Sequence, residues 1–348
     1  MWSIALAFLA ATAGQIDPAE QMALKSRRSI PSGEVKIRSV DYVIQGDNDE
    51  AVVERTVEYK LEFKGEKLRT LQSAGQTSDD GSLAIFAKEE GLCVDGQLYR
   101  HDFNLAQPDE ATAIPVATIE DSETWLSLRK HVVDPRLFGI QPVPFGILHS
   151  CSYEEFLANP HRTETSTEEA TVSGMPVRLV TVKRPGVICR MWIAPDQGWN
   201  LLKSEVVETG GQRAMLENRL TRFGETWFPQ EVLYLEYNSQ QKLVDKNIAT
   251  VLSANFDSEI PDSRFTLASL NPAKGTMVFN AAKPSQVIGR WDGDTLIPFG
   301  QRSRTNRGLP PPLDRKTGSH MTYVYLANLI GGVAILILLF VRKSKSKA

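Results

Sequence analysis

Five histidines are the residues of this chain best suited to bind a metal ion, but their spacing does not favour it. No two of them form the His-x-x-x-His or Glu-bracketed pairs that hold zinc. The chain also lacks the Gly-x-Ser-x-Gly motif of serine hydrolases and the Gly-rich phosphate loop that ends in Lys-Ser or Lys-Thr. The sequence therefore predicts a protein that is not an enzyme and that has neither a metal site nor a cofactor. The histidines are His101, His131, His149, His161 and His320.

Three cysteines leave two interpretations open. Cys93 and Cys189 lie in apolar, strand-like runs, where a buried thiol is the usual state. Outside the cytoplasm, one disulfide and one remaining thiol are the alternative, and the sequence does not choose among the three possible pairs of Cys93, Cys151 and Cys189.

Three tryptophans are the candidate ligand-binding residues. Trp192, Trp199 and Trp227 stand in or beside the later predicted hairpins. Aromatic side chains on the inward face of a curved sheet could line an apolar cavity. The alternative is that they fill the core of the sheet, because the hollow of a curved sheet must hold some side chains.

Alternating apolar and polar residues predict a series of strands that would position these tryptophans. Short Gly- and Pro-containing separators between the later runs are typical of hairpin turns, so we expect a large, curved, antiparallel sheet. Helical spacing in 119–132, and a capping-box pattern that opens at Ser152, predict a helical insertion at its middle. The fold class is mainly β, or α+β. The predicted strands are 35–44, 53–63, 83–87, 92–99, 177–183, 187–194, 201–208, 214–223, 227–237 and 246–256.

The N-terminal residues 1–14 resemble a secretory signal peptide. An apolar run precedes Ala11-Thr12-Ala13, which fits a small-x-small cleavage site between Ala13 and Gly14. No Lys or Arg precedes the apolar run, which is unusual for a signal peptide. The alternative is an uncleaved anchor, but a helix of this length would span about 21 Å, short of the roughly 30 Å hydrocarbon core.

The other apolar end, from Tyr323 to Val341, predicts a transmembrane helix. It carries no charged residue, and as a helix it would be about 28 Å long. The basic tail 342–348 adjoins it, and the basic, Pro-rich stalk 302–322 precedes it. The positive charges on the two sides are close to balanced. Because the tail charges lie nearest the span and a signal would export the body, we expect the tail to be cytoplasmic.

The charge of the chain is unevenly divided. The formal net charge is only −3, but the stalk and the tail are both basic, so the body, 35–301, is acidic. Such a body is not that of a nucleic-acid-binding domain. The basic stalk is suited to rest on anionic membrane lipid. A lead-in segment, 15–34, separates the predicted signal peptide from the body.

One hairpin carries a family resemblance. The strand–turn–strand 190–203, with Trp192, Pro195, Gly198 and Trp199, resembles bacterial envelope proteins of the outer-membrane lipoprotein carrier/sorting superfamily. The strand that begins at Trp227 resembles the next strand of that fold. The resemblance implies a half-barrel with helices over its concave face, and members that bind lipoprotein acyl chains or act as envelope-stress sensors.

Two functions follow as hypotheses. The first is a membrane-anchored domain, exposed to the bacterial periplasm, that binds a lipid or a lipoprotein acyl chain in an apolar cavity. The second is a sensor or structural module that contacts another envelope protein and has a filled core. The C-terminal anchor distinguishes this chain from the soluble carriers, because an anchored protein could not shuttle across the periplasm.

Overall fold

The computed structural model describes residues 16–45, 50–77, 83–103, 105, 112–118, 133–140 and 163–299. All of them belong to the first of the two compact units into which the chain divides, 1–301. The predicted helices 119–132 and 152 onward, and the predicted signal, stalk, span and tail, lie outside the described residues. Among the described residues, no helix is both long and apolar enough to cross a membrane.

The described residues form one α-helix, α1 (Pro18–Arg28), four short 3-10 turns and sixteen strands. Nine predicted runs correspond to single strands, the predicted run 92–99 wrongly joins the end of β4 to the start of β5 across a turn, and β3, β6, β7 and β14–β16 were not predicted. The 3-10 turns are Pro135–Leu137, Pro195–Gln197, Asp262–Phe265 and Leu267–Leu270. The strands are β1 (Ser32–Gln45), β2 (Glu50–Lys64), β3 (Lys67–Thr77), β4 (Leu83–Val94), β5 (Gln97–Asp102), β6 (Ala113–Thr118), β7 (Glu164–Val172), β8 (Met175–Arg184), β9 (Val187–Ala194), β10 (Asn200–Glu208), β11 (Arg213–Phe223), β12 (Thr226–Tyr237), β13 (Leu243–Asn255), β14 (Met277–Asn280), β15 (Val287–Trp291) and β16 (Leu296–Pro298).

All sixteen strands join in a single open sheet. Its order is β16-β15-β14-β6-β5-β4-β3-β2-β1-β13-β12-β11-β10-β9-β8-β7. The prediction of a purely antiparallel sheet is wrong at one place, because β14 pairs in parallel with β6 and makes the sheet mixed. A parallel pairing needs a long crossover connection, and here residues 119–276 lie between the two strands.

One face of the sheet, the helix face, holds the main core. Along β2, Val57, Leu61 and Phe63 are buried in it, as the alternation of this strand predicts. Ala19 and Ala23 of α1 pack onto the same core, and so do Leu137 and Phe138 of the segment 133–140.

The opposite face, the strap face, holds a second and smaller core. Leu92, Ile114 and Val278 lie on it, and Phe265 and Leu270 cover them. Phe265 and Leu270 belong to a strap, residues 260–270, that contains two of the 3-10 turns. The alternation expected to expose the other face of β2 is therefore interrupted, because Glu62 is buried beneath this strap.

Charged groups hold the strap in place. Arg69 donates to Glu62 Oε2 at 3.3 Å, to Glu90 Oε1 at 3.2 Å and to the carbonyl oxygen of Ser269 at 2.8 Å. Arg264 of the strap donates to both carboxylate oxygens of Glu62, at 2.6 and 3.1 Å. His101 Nδ1 lies 3.0 Å from the carbonyl oxygen of Leu270. Each carboxylate of this network faces a cation, while Nε of Arg69 has no acceptor among the described residues.

Candidate ligand site

The structure divides the three predicted tryptophans between the two faces. Trp192 points away from the main core and packs with the buried Val177, Ala194 and Leu202. Trp199 packs against the main core instead, and it has a left-handed backbone with φ of 58°. All three tryptophans are half-buried.

Trp199 and Trp227 are brought to the same end of the sheet. The Nδ2 of Asn200 donates to the carbonyl oxygens of Gln197, at 2.6 Å, and of Trp227, at 3.2 Å. This side chain ties the turn after β9 to the start of β12. The backbones of Trp199 and Trp227 therefore lie close together at this end of the sheet, while the ring centroid of Trp227 lies 5.1 Å from the guanidinium carbon of Arg222. The contact of these tryptophans with a ligand stays a prediction.

Beneath α1, the helix face is lined by phenylalanine rings. The ring centroid of Phe228 lies 5.0 Å from that of Phe256 and 5.9 Å from that of Phe138. Phe63 and Phe223 extend the group, each within 6.5 Å of Phe256. Such rings give α1 a continuous apolar floor.

A charged side chain of α1 lies on this floor. Arg27 is only 1% exposed, and its guanidinium carbon lies 4.3 Å from the centroid of the Phe228 ring. Its Nη2 donates to the carbonyl oxygen of Phe138 at 2.8 Å. Among the residues that the structure describes, Nε and Nη1 have no acceptor. A buried guanidinium normally satisfies its donors, so this one is unusual.

Burial also changes the acidity of Arg27. Desolvation lowers the pKa of the guanidinium to about 9, and the carboxylate of Asp134 acts in the opposite direction. The group is therefore still charged at neutral pH. Because Asp134 already accepts from Arg136 and Arg28, at 2.9 and 3.0 Å, its charge is largely neutralised by them.

The sequence of α1 explains why Arg27 is buried. Asp17 and Glu20 form a capping box, and Pro18 occupies the first turn. Ala19, Ala23 and Arg27 then follow at intervals of four residues, which places them on one stripe of the helix. The two alanines bring the helix close to the sheet, so the third member of the stripe is held against the phenylalanine floor. The sequence analysis gave this lead-in segment no role.

Polar contacts fix α1 at both ends. Ser26 Oγ donates to the carbonyl oxygen of Gly198 at 2.6 Å, beside Trp199. Thr167 Oγ1 of β7 donates to the Asp17 carboxylate at the N-terminal end. These contacts join the C-terminal end of α1 to the turn between β9 and β10, and its N-terminal end to β7. They therefore help to hold the helix above the phenylalanine floor.

The segment 133–140 forms the other wall beside Arg27. The backbone nitrogen of Val133 donates to Thr70 Oγ1 at 2.9 Å, and Asn218 Nδ2 donates to the carbonyl oxygen of Gly139 at 2.5 Å. Gly139 has a φ of 72°, and a Cβ there would lie 2.7 Å from Cγ of Pro229. Only glycine fits this close turn. The carbonyl oxygen of Phe138 is thereby aimed at Arg27.

The far end of the helix face, by contrast, is polar. Arg55 donates to Asp41 at 2.8 Å, and the hydroxyl of Tyr234 donates to Glu236 at 2.9 Å. Burial, then the nearby carboxylates of Glu236 and Asp41, raise the pKa of Asp245. An apolar ligand would therefore be accommodated at the α1 end of this face.

Two clefts open on the described surface, and neither is lined by a predicted tryptophan. One, of about 310 Å³, lies between β7, β8 and the turn Pro195–Gln197. The other, of about 210 Å³, lies at the start of β1 and the end of β13, beside Ser258 and Ile260.

Of the histidines and cysteines considered in the sequence analysis, those that the structure describes pack or bond within the fold. His101 contacts Leu270 and, through Nε2, Thr112 Oγ1 at 3.1 Å. Cys93 and Cys189 both belong to the main core region. Within the described ranges, no group of three His, Cys, Asp or Glu side chains could hold a metal ion. The other histidines, Cys151, and the predicted ends Ala13, Gly14, Tyr323 and Val341 lie outside those ranges.

Comparison with known proteins finds similar structures at low identity. The chain is similar to a LolA superfamily protein from Nitrosomonas europaea, with 11% identity and a TM-score of 0.38, over 75% of this chain and 100% of that chain. It is similar to MucB with 11% identity and a TM-score of 0.26, over 71% of this chain and 61% of MucB. A structure of lipovitellin, titled for its lipid–protein interactions, has 10% identity and a TM-score of 0.23, over 66% of this chain and 26% of lipovitellin. No protein-family model and no curated protein matches the sequence.

Proposed function

We propose that this chain is a non-enzymatic, membrane-anchored protein of the bacterial envelope that binds a lipid or a lipoprotein acyl chain between α1 and the sheet. The observation that carries the proposal is Arg27, a buried cation with two donors that have no acceptor among the described residues. It lies on an apolar floor, beside the turn that holds Trp199.

An acylated ligand fits both properties of this site. Its hydrocarbon chains would lie against the rings of Phe228 and Phe256, where burial of apolar surface is favourable. Its ester, carboxylate or phosphate oxygens would accept from Nε and Nη1 of Arg27, in a charge-assisted hydrogen bond. A purely hydrocarbon ligand would leave these donors unsatisfied, which is costly in a buried site.

Entry of the ligand requires α1 to move, because Arg27 is almost fully buried. The polar contacts that hold the helix are those of Ser26 and Asp17, the ion pair of Arg28 with Asp134, and the bond from Arg27 to Phe138. A ligand oxygen that replaces the Phe138 carbonyl would offset the loss of the last of these contacts. Trp199 and Trp227, at the end of α1, are then the predicted contacts for the emerging part of the ligand.

A binding titration tests this function. The full chain, purified from membranes and exchanged from detergent into an amphipathic polymer, is titrated with the fluorescent fatty acid cis-parinaric acid. We expect saturable binding, and a loss of about tenfold or more in affinity for Arg27→Met, since a hydrogen bond to a charged group contributes about 1.5–3 kcal/mol. Arg219→Met removes a largely exposed cation and is the matched control. Absence of saturable binding, or equal affinity of the Arg27 variant and the control, would contradict the proposal.

The proposed topology has a separate test. We propose that the body lies on the periplasmic side of the cytoplasmic membrane, with the segment 323–341 as a single span and the tail in the cytoplasm. Protease added to intact spheroplasts should remove the body and leave a small protected C-terminal fragment. Survival of the intact body, with degradation only after lysis, would overturn this placement.

A further inference from the structure

The two edges of the sheet differ in how well they are protected against pairing with another strand. β16, at one edge, has three residues and ends in Pro298, which has no backbone N–H. β7, at the other edge, has nine residues without a proline, and six of them are exposed. Its outer side pairs with no strand of the described sheet. Long edge strands of this kind are templates for an added strand.

A cleft lies at the end of β7 and gives such a strand a side-chain pocket. The cleft has a volume of about 310 Å³, and its walls combine two kinds of residue. Ala170, Pro176, Val177 and Pro195 provide apolar surface, while Glu169 and Asp196 provide carboxylates; Thr171 and Arg178 complete the lining. An open cleft that combines apolar surface with carboxylates suits a lysine or arginine side chain, whose stem is apolar and whose tip is charged.

The charge along the edge favours the same kind of partner. β7 carries Glu164, Glu168 and Glu169, and the turn across the cleft carries Asp196. Lys183 pairs with Glu164 at 2.9 Å, and Arg178 pairs with Glu169 at 2.8 Å. The strand and cleft therefore keep an excess of negative charge. Opposite charges across an interface increase the rate of association and select the partner.

From these features we infer that β7 is a strand-addition site for an extended, basic peptide segment of another protein. The segment pairs with the outer backbone of β7 and places one lysine or arginine side chain in the cleft. Backbone pairing supplies affinity and the pocket supplies specificity, as in other cases of strand addition. This site is distinct from the one beneath α1 and does not depend on acyl binding.

The competing explanation is that the glutamates only protect the edge. Charged residues on an edge strand commonly prevent aggregation by discouraging any added strand. The two explanations differ in one respect: a protective edge rejects an extended peptide of either charge, whereas an addition site discriminates by charge and needs the backbone amides of the peptide.

The experiment uses the full chain in the amphipathic polymer and a labelled nine-residue peptide of alternating lysine with threonine and valine. Fluorescence anisotropy measures its dissociation constant at physiological ionic strength. The first control peptide carries N-methyl groups on alternate amides of the edge that pairs, and the second has glutamate in place of lysine. We expect each control peptide to bind at least tenfold more weakly. Equal binding of the N-methylated peptide, or no binding of the basic peptide, would overturn the inference.

Protein variants locate the peptide. Asp196→Lys should weaken binding of the basic peptide about tenfold, while Glu231→Lys, a change at a half-buried position of β12 outside the cleft, should leave it unchanged. An equal effect of both variants would mean that the peptide responds only to overall charge, against the inference. A second copy of the chain is the other possible occupant of the β7 edge, and sedimentation of the unmodified chain tests for it. A dimer that the basic peptide does not dissociate would assign the edge to that second copy and overturn the proposal.

Discussion

Arg27 and Arg69 are both buried arginines, one on each face of the sheet, but their surroundings are opposite. Arg69 lies between Glu62 and Glu90 and also donates to the Ser269 carbonyl oxygen. Arg27 has one carbonyl acceptor and an aromatic ring, without a carboxylate in hydrogen-bond contact. Arg69 Nε, like Nε and Nη1 of Arg27, has no acceptor among the described residues, so the two arginines differ in charge neutralisation rather than in having such a donor. A buried cation paired with two carboxylates supports the structure, whereas one without a bonded carboxylate is the better candidate to bind an anionic or polar ligand group. The comparison separates the structural face from the candidate binding face.

Removal of Arg69 should have the largest effect. Arg69→Met leaves Glu90 and part of Glu62 without their cation, and breaking a buried ion pair on one side costs about 3–5 kcal/mol. Urea unfolding of the full chain measures this loss. Arg38→Met, at the half-buried and solvent-accessible pair with Glu58, is the control and should cost about 1 kcal/mol or less. Equal losses in both variants would remove the distinction between the two arginines.

The second-largest effect is expected from acid, which should lower the unfolding free energy by protonating Glu62 on the strap face. Burial by itself would raise the pKa of Glu62, but hydrogen bonds from Arg264 and Lys60 outweigh it and hold the pKa below 4.5. The stabilising contribution is therefore complete above pH 4.5 and is lost as the pH falls through the lower pKa of the folded state. Unfolding in urea across this interval should show a steeper loss for the unmodified chain than for Glu62→Gln. Parallel curves would exclude Glu62 as the titrating group.

Loss of the helix cap should have a smaller effect, confined to the helix face. Asp17→Ala removes the side chain that accepts from the backbone nitrogen of Ala19 at 2.7 Å, and such a change costs about 1 kcal/mol. Hydrogen exchange should show faster opening of α1 and unchanged protection of the strap. Faster exchange in both regions would indicate that the two faces open as one unit.

The smallest effect on stability is expected for Arg27→Met, the variant with the largest expected effect on binding. Replacement of a buried charge by an apolar side chain of similar length is often neutral or stabilising, so the unfolding free energy should stay within about 1 kcal/mol. The same urea measurement detects it. A loss as large as that of Arg69→Met would show that Arg27 supports the fold, and the comparison would fail.

The sequence predicts the later hairpins well and the sheet edges poorly. β8 to β12 alternate clearly and are separated by short turns, and all of them were predicted. β7 was missed because threonine and glutamate dominate it, so it has little apolar periodicity to detect. The pairing of β6 with β14 joins distant parts of the chain, and no local pattern encodes such a contact.

The candidate site was only partly predictable for a related reason. Trp199 and Trp227 were found because aromatic residues in hairpins stand out, but their separation from Trp192 depends on the register of β9 and β10. Arg27 was missed although its signals are local: Asp17 and Glu20 predict a helix start, and Ala19 and Ala23 predict the buried stripe that includes it. Burial of its charge is decided by the sheet beneath, which the sequence of α1 does not contain.

The strand order also has a kinetic consequence. β1 to β6 and β7 to β13 are two meanders of neighbours in sequence, and each can form from local hairpins. Their junction pairs Val35 with Ala254, and the parallel pair brings Ile114 to Val278. Contacts between such distant residues carry a large loop-closure entropy and form slowly. We therefore expect the two meanders to form first and the β1–β13 junction to limit the rate of folding. Until that junction forms, the long strands β1 and β13 are both exposed edges that could pair with another chain.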